Sequence, residues 1–203
     1  MKRNSLLLIL ISLLLFSTTQ VEAKWLKDKN GCHLWVENSA KRVFQSVSWL
    51  GQCKNGYASG SGVARYTMKD WSQDIYRGDI KKGKIHGYGR YEWSDKSIYA
   101  GEWKNGKMNG QGTSVSASGQ RYSGTWRNNK RHGKGKAIWK NPCPTCYRSF
   151  VGNFYKNNMR SGVYILGNGK KINKGKTELS NMTSTYLDLM KGYAVNRHLY
   201  YGN

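Results

Sequence analysis

The sequence predicts a mainly β fold, an elongated solenoid of stacked antiparallel β-hairpins (β-hairpin repeats) followed by a short C-terminal helix. Three observations point there. A Tyr-x-Gly-x-(Trp or Ile) core recurs at an offset of 23 residues, as Tyr76-Arg-Gly78-Asp-Ile80, Tyr99-Ala-Gly101-Glu-Trp103 and Tyr122-Ser-Gly124-Thr-Trp126. Each copy continues alike, through Lys81-Lys82-Gly83, Lys104-Asn105-Gly106 or Arg127-Asn128-Asn129 to a Gly-x-Gly. Glycine (24), Tyr (14) and Trp (8) are plentiful while mean hydropathy is only −0.73. Rings rather than aliphatic side chains must therefore fill the core. That much glycine disfavours a helical bundle, and that many aromatics disfavour disorder.

Residues 1–23 read as a cleaved signal peptide. Lys2 and Arg3 precede an apolar run, Leu6 to Phe16, and Val21-Glu22-Ala23 offers a small-residue cleavage site. The run is shorter than the roughly 20 residues a membrane span needs. Cleavage after Ala23 would start the mature chain at Lys24, which predicts an exported protein, periplasmic or secreted. Residues 24–48 form an N-terminal cap, with strand-like pieces at His33–Val36 and Val43–Trp49. Residues 49–165 hold the repeats. The first copy is Trp49-Leu-Gly51-Gln-Cys53 with Gly56 and Gly60-Ser-Gly62; the last is Phe150-Val-Gly152-Asn-Phe154 with Asn157 or Asn158, then Gly162. Residues 166–203 read as a loop over 166–176, then a helix over Ser184–Lys191 and an aromatic tail acting as a cap.

The spacing has a physical reading. Side chains alternate along a strand, so the two aromatics and the glycine between them share one face. That glycine leaves a notch for a neighbouring ring. The exchange of Gly83 and Gly106 for Asn129 marks a turn residue with positive φ, which Gly and Asn tolerate best. Each unit is then a hairpin unable to bury its own aromatic face, and stacking buries it continuously.

Four cysteines, Cys32, Cys53, Cys143 and Cys146, suit an oxidising compartment. Of three pairings the sequence-local one is favoured, Cys32–Cys53 with Cys143–Cys146. The alternatives are a redox-active Cys143-Pro-Thr-Cys146 and a zinc site, although no second Cys-x-x-Cys or His pair accompanies it.

The tract Tyr-x-Gly-x-Trp-x-x-Gly-x-x-x-Gly-x-Gly resembles the MORN repeat (membrane occupation and recognition nexus). Tyr99 to Gly112 matches every position, and Tyr122 to Gly135 all but Asn129. The resemblance covers about residues 49–165. It implies a twisted sheet of stacked hairpins acting as a binding, tethering or dimerisation module, here without an attached catalytic domain. Gly31-Cys32-His33-Leu34-Trp35, ahead of Trp49-x-Gly51-x-Cys53, resembles exported bacterial members and implies the Cys32–Cys53 pairing.

Charge is the other signal. Lys and Arg number 34 against 11 Asp and Glu, a net +23. From Trp103 to Lys176 there is no acidic residue. Repetition turns such charge into a stripe, for which the candidates are Lys104, Lys107, Arg127, Lys130, Arg131, Lys134 and Lys136. A basic stripe suits an acidic protein partner or an anionic surface, such as phospholipid head groups or lipopolysaccharide-like phosphates. Nucleic acid is disfavoured, because it needs free stacking aromatics and packing claims them. No catalytic constellation is evident. His86 and His132 sit at one repeat position before a glycine, Glu92 and Asp95 lack a framing motif, and Gly-x-Ser-x-Gly and His-Glu-x-x-His are absent. The expectation is a non-enzymatic binding or scaffold protein with no cofactor and no metal. The alternatives are a homodimeric scaffold and a small thiol-disulfide protein using Cys143 and Cys146. The framework residues are Trp49, Gly51, Tyr76, Gly78, Tyr99, Gly101, Trp103, Tyr122, Gly124 and Trp126.

Overall fold

A computed structural model describes residues 23–39, 42–140 and 143–175. The signal peptide expected over residues 1–23, through Glu22, and the helix expected over Ser184–Lys191 lie outside them. The described residues contain strands and turns and no helix. The strands are β1 (Ala23–Lys27), β2 (His33–Glu37), β3 (Phe44–Lys54), β4 (Tyr57–Met68), β5 (Gln73–Lys81), β6 (Lys84–Glu92) and β7 (Ile98–Lys104). They continue as β8 (Lys107–Val115), β9 (Arg121–Arg127), β10 (Lys130–Ile138), β11 (Tyr147–Tyr155), β12 (Asn158–Leu166) and β13 (Lys171–Lys174). All belong to one open sheet, and from β3 to β13 each strand pairs antiparallel with the next.

The repeats explain that order. Each repeat unit is one hairpin, with a two-residue turn whose central residues both have positive φ: Asn55-Gly56, Lys82-Gly83, Asn105-Gly106, Asn128-Asn129 and Lys156-Asn157. Such turns twist with the strands they join. Asn129 at φ 64° occupies the place of Gly83 at 71° and Gly106 at 81°, as the Gly-to-Asn exchange predicts. The sheet ladder between hairpins runs on into these turns. Gly83, Gly106, Asn129 and Asn157 donate their N–H to Ala58, Ile85, Met108 and Arg131 carbonyls at 2.9, 2.8, 3.1 and 3.0 Å.

The core is a layer of rings lying on glycine backbone. Tyr99 is fully buried and crosses its hairpin so that its hydroxyl lies over Gly112; any Cβ there would collide with the ring. Tyr76 and Tyr122 lie likewise over Gly89 and Gly135. Each hydroxyl is satisfied, donating to the carbonyl three residues on: Asp79, Glu102 and Thr125 at 2.8, 2.9 and 3.0 Å. The indoles of Trp103 and Trp126 donate back to Gly89 and Gly112 carbonyls at 3.1 Å. Edge-to-face contacts then run from ring to ring: Tyr76–Trp103, Trp103–Tyr99, Tyr99–Trp126, Trp126–Tyr122, Tyr122–Phe154 and Phe154–Phe150. Edge-to-face geometry is the arrangement ring quadrupoles prefer.

The segment before the repeats caps the array more elaborately than two strand pieces suggest. β1 and β2 form a hairpin, with Trp25 opposite Trp35. β2 meets β4 through one parallel bridge, His33 to Tyr57. It then lies against the hairpin turns, where His33 and Trp35 N–H donate to Gly56 and Gly83 carbonyls, both at 2.8 Å. Leu34, Val36 and Phe44 close the core at that end.

One expectation is corrected at the other end. Lys171–Lys174 form β13 against β12, where a loop over 166–176 is expected. Gly169 at φ 84° makes the turn, and every residue of β13 is exposed. A short lysine-bearing strand of this kind protects a sheet edge.

Candidate functional site

The basic residues divide by face. Strand alternation, together with a bulge in β10 between Arg131 and Gly135, breaks the expected single stripe of seven. Arg131 turns onto the aromatic face. Its guanidinium lies 5.6 Å from the Tyr122 and Phe154 ring centroids and donates to the Asn157 carbonyl at 3.4 Å. Lys134 and Lys136 sit opposite Asn153 and Val151, on the other face from buried Gly135 and Ala137.

The remaining four, Lys104, Lys107, Arg127 and Lys130, flank the hairpin turns. Lys104 is directly opposite Lys107, and Arg127 opposite Lys130; Lys81 opposite Lys84 completes the series one hairpin earlier. These pairs recur at the repeat offset. Reading density rather than register missed Lys81 and Lys84, although stepping back 23 residues from Lys104 and Lys107 finds them. Like charges facing each other across an antiparallel pair are destabilising. Three hairpins in succession carry that cost, at intervals of about 10 Å, two strand spacings.

The turn edge is also concave. A polar groove is lined by Trp35, Lys84, Lys104, Asn105, Lys107, Asn109, Arg127 and Asn128, with Glu37 from β2. It adjoins an aromatic cleft of about 340 Å³, between β2 and the sheet. Phe44, Tyr66, Tyr91, Trp93, Trp103 and Met108 floor the cleft, and Gly106 and Asn129 stand at its turn side. Trp35, Glu37 and Lys84 belong to both walls. The Lys84 ammonium sits 4.5 Å from the Trp35 ring centroid and 5.8 Å from that of Trp25, a cation–π arrangement.

Beneath the cleft lies a polar cluster that sequence reasoning missed. Asp74 is fully buried, pairs with Arg42 from the cap, and accepts Tyr91 Oη at 2.7 Å and Ser94 N–H at 2.9 Å. Burial pushes the Tyr66 and Tyr91 hydroxyls well above the ordinary tyrosine range; the nearby Arg42 charge only partly opposes this at Tyr91. Burial raises Tyr122 in the same way, against the Arg131 charge. At the tips between repeats, hydrogen bonds from Ser72 and Ser97 hold Asp70 and Asp95 below the usual carboxylate range. These aspartates are turn formers.

The cysteines lie in two pairs at disulfide distance. Cys32 and Cys53 (Cα–Cα 5.7 Å) tie the cap to β3, and Cys143 and Cys146 (5.2 Å) close a small loop between β10 and β11. That loop is latched onto the β12–β13 turn by Gly167 N–H to Cys146 carbonyl at 3.1 Å and Asn168 N–H to Pro144 carbonyl at 2.8 Å. Its setting is turn and strand, unlike the helix N-terminus that activates a redox thiol.

Comparison with known proteins agrees with this geometry. No curated protein matches the chain. The MORN repeat family matches residues 76–98, 99–121 and 122–141, which are the β5–β6, β7–β8 and β9–β10 hairpins with their connections. Residues 76–141 are thus three consecutive MORN repeats, and stacked hairpins of this kind suit binding and scaffold roles.

Proposed function

We propose that this protein is an exported, non-enzymatic scaffold that docks an anionic partner, an acidic protein or an anionic envelope or membrane surface, along its hairpin-turn edge. The observation carrying this reading is the triple like-charge pairing Lys81–Lys84, Lys104–Lys107 and Arg127–Lys130. Folding alone gains nothing from it, whereas an anion placed between the pairs relieves it. Export rests on the signal-like first 23 residues and on the two cysteine pairs, which need an oxidising compartment to join.

Two measurements test this. N-terminal sequencing of protein from its native source should begin at Lys24; a retained Met1 overturns export. The oxidised chain from Lys24 should bind anionic vesicles or polyglutamate and leave neutral vesicles and neutral polymer unbound. Binding should fall by about tenfold or more between roughly 0.05 and 0.3 M salt. Mass measured alongside reports any self-association. Equal binding to neutral and anionic probes, or binding to neither, removes the charge reading.

A further inference from the structure

The cap supplies a template for what the edge can hold. β2 is an extended segment lying against the hairpin turns. Two of its N–H groups, two residues apart, donate to the carbonyls of successive turns, His33 to Gly56 and Trp35 to Gly83. Its alternate side chains divide accordingly: Leu34 and Val36 go into the core, while Trp35 faces the Lys84 ammonium. Past Trp35 the next two turns, at Gly106 and Asn129, border the aromatic cleft. Among the described residues their carbonyls take no bond of this kind. The row of acceptors therefore continues beyond the strand that uses it. The cations continue with it, since Lys104, Lys107 and Arg127 flank those same turns.

We propose that the cleft docks an extended acidic segment of a partner protein, running on from the line of β2. This rests on the anionic-partner reading above and names the partner's chemistry. A row of turn carbonyls calls for N–H donors in series, which a peptide backbone supplies and a phosphate lacks. The segment alternates, as an added strand does. One set of side chains is apolar and enters the cleft over Tyr91, Trp103 and Met108. The other set is acidic and meets Lys104, Lys107 and Arg127.

The test uses the full mature chain and a fluorescent decapeptide alternating Glu with Val or Leu. Three controls accompany it: a block isomer with all Glu first, an analogue N-methylated at alternate residues, and polyglutamate of equal charge. The alternating peptide should bind at least about tenfold more tightly than the methylated analogue, which loses hydrogen bonds to the acceptor row, and than the block isomer, which loses the match of apolar and acidic side chains to cleft and cations. The Lys104→Glu/Lys107→Glu variant should lose about tenfold as well. The peptide controls need no variant to fold. Equal affinity for all four acidic probes overturns the strand inference and leaves the charge reading standing. Binding of anionic vesicles without any acidic peptide assigns the edge to a membrane surface and also overturns it. Failure of every anionic probe defeats both readings. A synthetic peptide of residues 176–203 serves as competitor. If it displaces the acidic probe and itself depends on Lys104 and Lys107, the chain's own tail is the occupant and the partner proposal falls.

Discussion

Asp74 carries a charge at zero exposure, and its three partners make that tolerable. Arg42→Ala removes the cation paired with it and should destabilise the fold by roughly 3 kcal/mol in urea titration. Arg42→Met with Asp74→Leu should cost less than the single change, because no buried charge is then left alone. None of this was legible from the sequence. Asp74 precedes the repeat motif, and its partner comes from the cap, 32 residues earlier. The seats of the rings were legible, because alternation alone puts Tyr99 and Gly101 on one face. Gly112→Ala should cost about 2–3 kcal/mol, since the new methyl meets the fully buried Tyr99 ring, which must shift. Gly106→Ala faces open space and pays only for its positive φ, about 1 kcal/mol. Buried Tyr66, Tyr91 and Tyr122 add a pH signature. Their hydroxyls are held neutral in the fold, whereas the unfolded chain ionises them near the ordinary value of about 10. The unfolded state thus binds fewer protons above that pH, so stability is full below it and declines as pH rises. Unfolding midpoints measured from pH 8 to about 11 should be flat and then fall; a constant midpoint would contradict their burial.

The hairpin turn is where conformation, stability and binding meet. Asn129 holds a left-handed backbone, and its Oδ1 also accepts the Met108 N–H from the preceding hairpin at 2.7 Å; Asn157 does the same for Arg131 at 2.8 Å. Asn129→Asp should therefore be tolerated. Asn129→Ala loses both the acceptor and the conformational fit, and should cost about 2 kcal/mol by thermal denaturation. Sequence reasoning found the conformational half of this and missed the hydrogen bond, which joins residues of different repeats. The like-charge pairs predict an opposed pair of effects. Lys104→Glu creates an attractive pair with Lys107, so stability should rise by about 0.5 kcal/mol while affinity for polyglutamate falls. A variant that loses stability and keeps binding would contradict the proposed role of the edge. β13 was not legible, because its alternation is obscured by lysines whose task is exposure rather than burial.

The array as a whole was the most legible feature, since one hairpin repeated at a fixed offset fixes both strand order and the aromatic face. The cap was the least legible, because β2 binds turn carbonyls, and main-chain acceptors leave no trace in residue type. Cys32–Cys53 joins these two parts across a sequence separation of 21. Replacing both cysteines by serine should cost about 3 kcal/mol of the chain-entropy kind, read as a lower urea midpoint. Cys143 and Cys146 close a far shorter loop, so the same replacement there should cost less.

The meander order of β3 to β13 has a mechanical consequence. Tension applied between the two ends of such a sheet acts across its strands, so the ladder bonds are loaded one after another, as in a zipper, instead of together in shear. Extension should proceed in small steps at low force, each freeing one 23-residue hairpin, or about 80 Å of chain. The N-terminal end would yield last under oxidising conditions, because there the Cys32–Cys53 link carries the load through a covalent bond. A protein built this way behaves as an extensible tether with one fastened end.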